Sequence, residues 1–149
     1  MTVEHPVPAE ARELADALRV SLHHIFRRIR QEGDDDPSGI TLLQKMLLST
    51  ISQNAGIGVA ELARMEKLRG PTISGHIKTM ENAGLVTRDE PNPEDRRRVG
   101  LRLTEKGTAV LEDIRNRRLD WLARRLAKLP PEGAQALRSA ITYLDQVGQ

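Results

Sequence analysis

Three consecutive arginines, Arg96, Arg97 and Arg98, follow two acids, Glu94 and Asp95, in the stretch NPEDRRRVGLRLTEKG from Asn92 to Gly107. A guanidinium is a planar, permanently charged fork of donors that matches oxyanions. Carried on the tip of a turn, it can enter a narrow groove of negative potential, such as the minor groove of a duplex. Arg96 or Arg97 is the candidate for insertion and Arg98 for a phosphate contact. Asp95 is the candidate for shaping the tip by pairing with one of the arginines. Three arginines beside two acids also make an ordinary solvated surface, so the neighbouring elements decide what the run means.

The segment PTISGHIKTMENAG (71–84) lies just upstream. If Ile73, Ile77 and Met80 face inward, helical geometry turns Thr72, Gly75, His76 and Thr79 outward, with Ser74 and Lys78 on the flanks. Hydroxyls and an imidazole can read base edges in a major groove. Pro71 opens the helix where a missing N–H costs nothing, and the remaining first-turn N–H groups can meet a phosphate. Lys67 and Arg69 stand just before it and are candidates to clamp a phosphate backbone. Taken alone, the segment reads as an ordinary amphipathic surface helix.

The elements that must position these residues follow from the apolar spacing. Leu14, Leu18, Leu22, Ile25, Phe26 and Ile29 recur at steps of three and four, predicting a helix over about 9–31. EGDDDPSG (32–39) is a solvated loop. Thr41 and Gln44 have the capping-box spacing and open the next helix, which carries Leu42, Leu43, Met46, Leu47 and Ile51. NAGIG (54–58) turns the chain into a short helix, 59–66. After the 71–84 helix, which Gly84 is placed to terminate, residues 85–90 and 99–103 are short strands joined by the arginine-tipped loop. Thr104 caps a long helix over about 105–129, Pro130 and Pro131 break it, and a last helix covers about 132–147. The predicted fold is mainly α with a small antiparallel β-hairpin: a winged helix-turn-helix lobe over about 41–103, within a single domain of 149 residues.

Composition narrows the function. With one Phe, one Trp and one Tyr, the core must be aliphatic. The net charge is only +2, but it is unevenly spread. Residues 1–40 carry 5 basic against 8 acidic side chains, residues 64–102 carry 9 against 6, and residues 103–149 carry 8 against 6. The basic excess in the middle and C-terminal parts hints at an anionic partner. The absence of cysteine excludes disulfides, Cys-ligated zinc and thiol redox sensing. No signal peptide and no membrane-spanning stretch is expected, which predicts a cytoplasmic protein.

VAELARMEKLRGPTISGHIKTMENAGLVTR (59–88) carries LA-x-x, P-T-x-S and E-x-x-G-L-V-x-R elements, and PNPEDRRRVGLRLTEKG (91–107) fits D-x-R-x-x-x-[VL]-x-L-T-x-x-G. On these two adjacent segments, flanked by helices of suitable length, the chain resembles the MarR family of bacterial transcription regulators. The resemblance implies a homodimer with a winged helix-turn-helix on each subunit, regulation of nearby genes and, often, release by a small ligand. It implies a ligand pocket near the junction of the dimerisation helices and the DNA-binding lobe, for which His23, His24, Phe26, Met46 and Trp121 are candidates. Many relatives carry a basic or long polar residue on the groove face after the P-T-x-S serine. Here Gly75 and His76 stand there, so base preference does not carry over.

The helices over about 9–31 and 105–147 hold more apolar positions than one small helical domain needs, which also points to dimerisation through them. A symmetric pair would hold two recognition helices roughly 34 Å apart and read an inverted repeat. The expected partners are double-stranded DNA and a second copy of the chain, to which the resemblance adds a small-molecule effector. No cofactor and no metal is expected: His23 and His24 alone make a poor metal pair, and Asp34–Asp36 reads as a soluble loop. GIG (56–58) lacks the third glycine of a dinucleotide fingerprint, and neither G-x-S-x-G nor H-E-x-x-H occurs, so an enzyme is not expected. The rival reading is a winged-helix module that contacts protein, whose tip would be neutral or apolar rather than cationic. The reading adopted is a DNA-binding regulator, a repressor rather than an activator, with Arg69, Thr72, Ser74, His76, Lys78, Thr79 and Arg96–Arg98 on the duplex.

Overall fold

Pro8 accepts the first helical hydrogen bond, from Arg12 N–H at 3.2 Å, and helix α1 (Ala9–Gln31) starts directly after it in the computed structural model. The model describes residues 6–31, 37–91, 94 and 99–148. The remaining elements are α2 (Leu42–Gln53), α3 (Val59–Met65), α4 (Gly70–Asn82), β1 (Val86–Arg88), β2 (Leu101–Leu103), α5 (Glu105–Leu126) and α6 (Pro131–Val147). Two compact units are distinguishable: Met1–Asp35 with Arg118–Gln149, and Asp36–Arg117.

In the unit of residues 36–117, local chemistry sets each boundary. Gln44 N–H donates to Thr41 Oγ1 at 3.2 Å and Thr41 N–H to Gln44 Oε1 at 3.0 Å, the reciprocal capping box. Helix α4 ends where Gly84 takes φ +73°, Leu85 N–H reaches Met80 C=O at 2.9 Å and Gly84 N–H reaches Glu81 C=O at 2.9 Å. That is a Schellman ending, which glycine adopts without a Cβ penalty. Thr104 Oγ1 accepts Gly107 N–H at 3.0 Å and so caps the start of α5. The same hydroxyl donates to Gly84 C=O at 2.5 Å, joining the end of α4 to the start of α5.

The sheet is one antiparallel pair in the register Val86↔Leu103, Thr87↔Arg102, Arg88↔Leu101. It is shorter than the segments 85–90 and 99–103: the Leu85 N–H is committed to the helix ending, and beyond Arg88 one further backbone bond, Asp89 N–H to Gly100 C=O at 2.8 Å, joins the two segments. Ile57 adds a bridge to Leu101, with Gly56 N–H to Leu101 C=O and Leu101 N–H to Ile57 C=O both at 2.8 Å. The segment read as a plain turn thus supplies a third edge to the hairpin.

The core of this unit is aliphatic. Leu47, Leu48 and Ile51 from α2, Leu62 from α3, Ile73, Ile77 and Met80 from α4 and Leu101 from β2 are all fully buried. Each such burial contributes about 1.5–3 kcal/mol before conformational entropy is subtracted. Lys45 is buried among them, a polar position that the apolar pattern did not announce.

The other unit is built differently. Helices α1 and α6 bury none of their described residues. Leu14, Phe26, Leu137, Ile141 and Tyr143 are all exposed although they repeat at helical spacing. Helix α5 ends at Leu126, short of the expected end near 129. The last turn tightens there, with Lys128 N–H to Arg125 C=O and Leu129 N–H to Leu126 C=O.

Candidate nucleic-acid interface

Helix α4 has two unlike faces. Ile73, Ile77 and Met80 are buried, while Thr72, Ser74, Gly75, Lys78 and Thr79 are exposed and His76 is half-buried. The residues assigned to the groove-facing side are thus gathered on the side away from the core. Thr79 Oγ1 donates to Gly75 C=O at 3.1 Å, so its proton is spent within the helix and its lone pairs remain to accept. Arg69 is the N-cap residue, exposed, with no side-chain cap bond; the helix N-terminus keeps its free N–H groups.

The turn before α4 carries an unusual backbone. Lys67 has φ +53°, and among the described residues it is the one non-glycine with positive φ. It occupies the left-handed position of a second Schellman ending, with Leu68 N–H to Ala63 C=O at 3.0 Å and Lys67 N–H to Arg64 C=O at 3.3 Å. A lysine there costs about 1 kcal/mol relative to glycine. Lys67→Gly is expected to raise stability by about that amount in urea unfolding while weakening binding to any duplex, reducing the salt slope by about 1. A variant that is more stable and binds DNA unchanged would show that the ammonium contacts no phosphate.

Side-chain links that carry no local sequence pattern tie the elements of this lobe together. Arg88 grips Glu81 two-handed, Nε to Oε1 at 2.8 Å and Nη2 to Oε2 at 3.3 Å, tying β1 to the last turns of α4. Arg102 Nε meets Asp89 Oδ1 at 2.6 Å across the root of the hairpin. The Thr50 hydroxyl bonds the Glu66 carboxylate, fixing the end of α3 on α2. Partners 7, 13 and 16 residues apart carry no local sequence signal. Asp95, Arg96, Arg97 and Arg98 lie outside the described residues.

Of the five candidates for a ligand pocket, His23, His24 and Phe26 line surface recesses along α1. His23 and Phe26 line a surface recess of about 310 Å³ with Arg27, Arg30 and Gln31. His24 lines another, of about 320 Å³, with Arg27, Arg28 and Gln31. The two imidazoles are 6.2 Å apart, centroid to centroid. Met46 is exposed. Trp121 is half-buried under the Arg125 guanidinium, 4.3 Å from the ring centroid, a cation–π stack. A further cavity of about 300 Å³ lies behind α4, lined mainly by Ile40, Gln44, Met80, Leu85, Lys106 and Val110. Among the described residues no helix is long and apolar enough to cross a membrane, and no cluster of His, Cys, Asp and Glu could hold a metal ion.

A helix-turn-helix whose second helix turns a polar face outward, followed by a β-hairpin, is a winged helix-turn-helix. The MarR family model matches residues 40–99. An uncharacterized HTH-type transcriptional regulator of Mycobacterium bovis is 31% identical over 127 residues, covering 85% of this chain and 87% of that one. The HTH-type transcriptional repressor MdtR of Bacillus subtilis is 26% identical over 124 residues, 82% of this chain and 79% of MdtR. The crystal structure of the transcriptional regulator Tm0710 from Thermotoga maritima superposes with a TM-score of 0.77 at 26% identity, covering 91% and 94% of the two chains. The chain belongs to the MarR family. It is a DNA-binding transcriptional regulator and not an enzyme.

Proposed function

We propose that the protein is a homodimeric, cytoplasmic repressor that reads an inverted repeat near the genes it controls. The sidedness of α4 carries this reading: its apolar face is locked in the core, and Thr72, Ser74, His76, Lys78 and Thr79 are left for the major groove. Arg69 and Lys67 serve the phosphate backbone from the preceding turn. Arg96 or Arg97 enters the minor groove from the hairpin tip, Arg98 reaches phosphate, and Asp95 steadies the tip. The repressor MdtR among the relatives supports the sign of regulation.

Two copies pair through α1, the second half of α5 and α6, whose apolar side chains a single chain leaves open to solvent. Small-ligand release belongs to the same reading. An effector lowers DNA occupancy only if it binds more tightly to a subunit arrangement that does not fit the groove. His23, His24, Phe26, Met46 and Trp121 remain the proposed surroundings of that ligand. A compound class that changes the DNA dissociation constant supports this part of the reading.

The test separates readers of sequence from readers of charge. A duplex selected by the protein from a random-sequence library is compared with an unrelated duplex. Arg97→Ala is expected to weaken binding to both. His76→Ala is expected to relax discrimination at one or two base pairs, costing about 1–3 kcal/mol on the selected duplex. Equal losses on both duplexes for His76→Ala would refute its assignment to a base edge. Affinity that does not fall with salt, where about −0.9 per phosphate contact is expected in the log–log slope, would favour a protein-binding module.

A further inference from the structure

Gly75 stands in the middle of α4, exposed, with no intramolecular reason to be glycine. Its backbone is ordinary helix, for it is not among the positive-φ glycines Gly39, Gly56 and Gly84. A Cβ built on it meets no heavy atom within 4 Å. Packing therefore does not forbid a side chain, unlike at Gly107, where a Cβ would lie 2.0 Å from the Leu85 carbonyl oxygen. A glycine in a helix interior is the poorest choice short of proline, because it loses the most backbone entropy on folding. The fold thus gives up stability at a point on the outward face, between Thr72 and Thr79, where the side chain would project into empty space.

We propose that this space is filled by DNA: Gly75 is the point at which a base-pair edge comes within van der Waals contact of the α4 backbone. Missing a Cβ, the helix seats more deeply in the groove. Thr72, His76 and Thr79, one turn either side or adjacent, then reach base edges with short side chains. The carbonyl of Gly75 is held by the Thr79 hydroxyl, so the contact surface at this point is the α-carbon and its hydrogens. Glycine allows such close approach of a backbone to a ligand, and no other residue does. The inference rests on the DNA-reading role of α4 and assigns that face its specificity-determining position.

The experiment compares Gly75→Ala and Gly75→Leu, two strong helix formers of different size, with the wild-type protein. The probes are the library-selected duplex and an unrelated duplex. Both variants are expected to unfold about 2–4 °C higher. Alanine is expected to weaken binding to the selected duplex at least 10-fold, and leucine more so, with changes under about 3-fold on the unrelated duplex. A loss of the same size for alanine and leucine would mean that helix stiffness, not contact, is responsible, and would overturn the proposal. So would wild-type affinity in either variant. If the wild-type protein selects no sequence, the reading of α4 fails along with this inference; if it does and the variants bind equally well, only this inference fails.

Discussion

Replacing Leu137 and Ile141 with aspartate is expected to leave the protein as a single 16.6 kDa chain in solution and to weaken its binding to the selected duplex by about 10²–10⁴-fold. The two positions are one helical turn apart on α6 and are 45% and 56% exposed in the isolated chain. On α1, Leu14 and Phe26 are 69% and 56% exposed. Apolar side chains of this size, recurring along helices of 23 and 17 residues that bury none of their described residues, need a partner surface. A carboxylate in such an interface would be desolvated without a counter-charge, which costs several kcal/mol per subunit. The DNA loss follows because two half-sites bound by one dimer reinforce each other through their effective concentration, and a lone lobe forfeits that. Sedimentation velocity reads the mass and a titration with labelled duplex reads the affinity. The lobe of residues 36–117 has its own buried core, so retained helical circular dichroism would separate dissociation from unfolding. A double variant that sediments at the wild-type mass would exclude α6 from the interface.

Gly107→Ala is expected to be the most damaging single-methyl change in the DNA-binding lobe. The new Cβ would fall 2.0 Å from Leu85 O and 2.9 Å from Leu85 C. These are backbone atoms, and they cannot rotate away as the tip of a long side chain can. Leu85 is itself pinned: its carbonyl accepts Thr104 N–H at 3.1 Å and its N–H closes the end of α4. Relieving the clash therefore means pushing α5 off the end of α4 and loosening the Thr104 links to Gly84 and Gly107. Overpacking of a rigid site costs about 1–3 kcal/mol, and the upper end applies here. About 3 kcal/mol corresponds to a fall in Tm of roughly 6–12 °C for a chain of this size. Unfolding by heat and by urea would measure it; a variant as stable as the wild type would mean that α5 and Leu85 do not sit this close.

Much of the lobe is legible in the sequence, because its boundaries are set by neighbours in the chain. Thr41 and Gln44 find each other at a separation of three, and Gly84 ends α4 by its own conformational freedom. The buried face of α4 follows from the spacing of Ile73, Ile77 and Met80. What stayed hidden depends on parts of the chain far apart. The bridge from Ile57 to Leu101 makes a strand edge out of a segment with no strand pattern. Glu81 and Arg88, like Asp89 and Arg102, carry the same charges as any surface pair until the helix end and the hairpin bring them together. The expected pairing of Asp95 with a wing arginine lies outside the described residues, whereas Asp89 at the hairpin root does hold one. The positive φ of Lys67 was hidden for a different reason: the position favours glycine, and the lysine that occupies it conceals the turn.

The most direct measurement is protection of guanine N7 from methylation on the selected duplex, since that atom lies in the major groove and a recognition helix seated there shields it. Two protected patches are predicted, one in each half of an inverted repeat, with centres about 10 base pairs apart. Protection should weaken when His76 is replaced. A saturated complex that leaves every N7 open to methylation, or shields one patch only, would contradict the placement of two α4 helices in adjacent turns of the major groove.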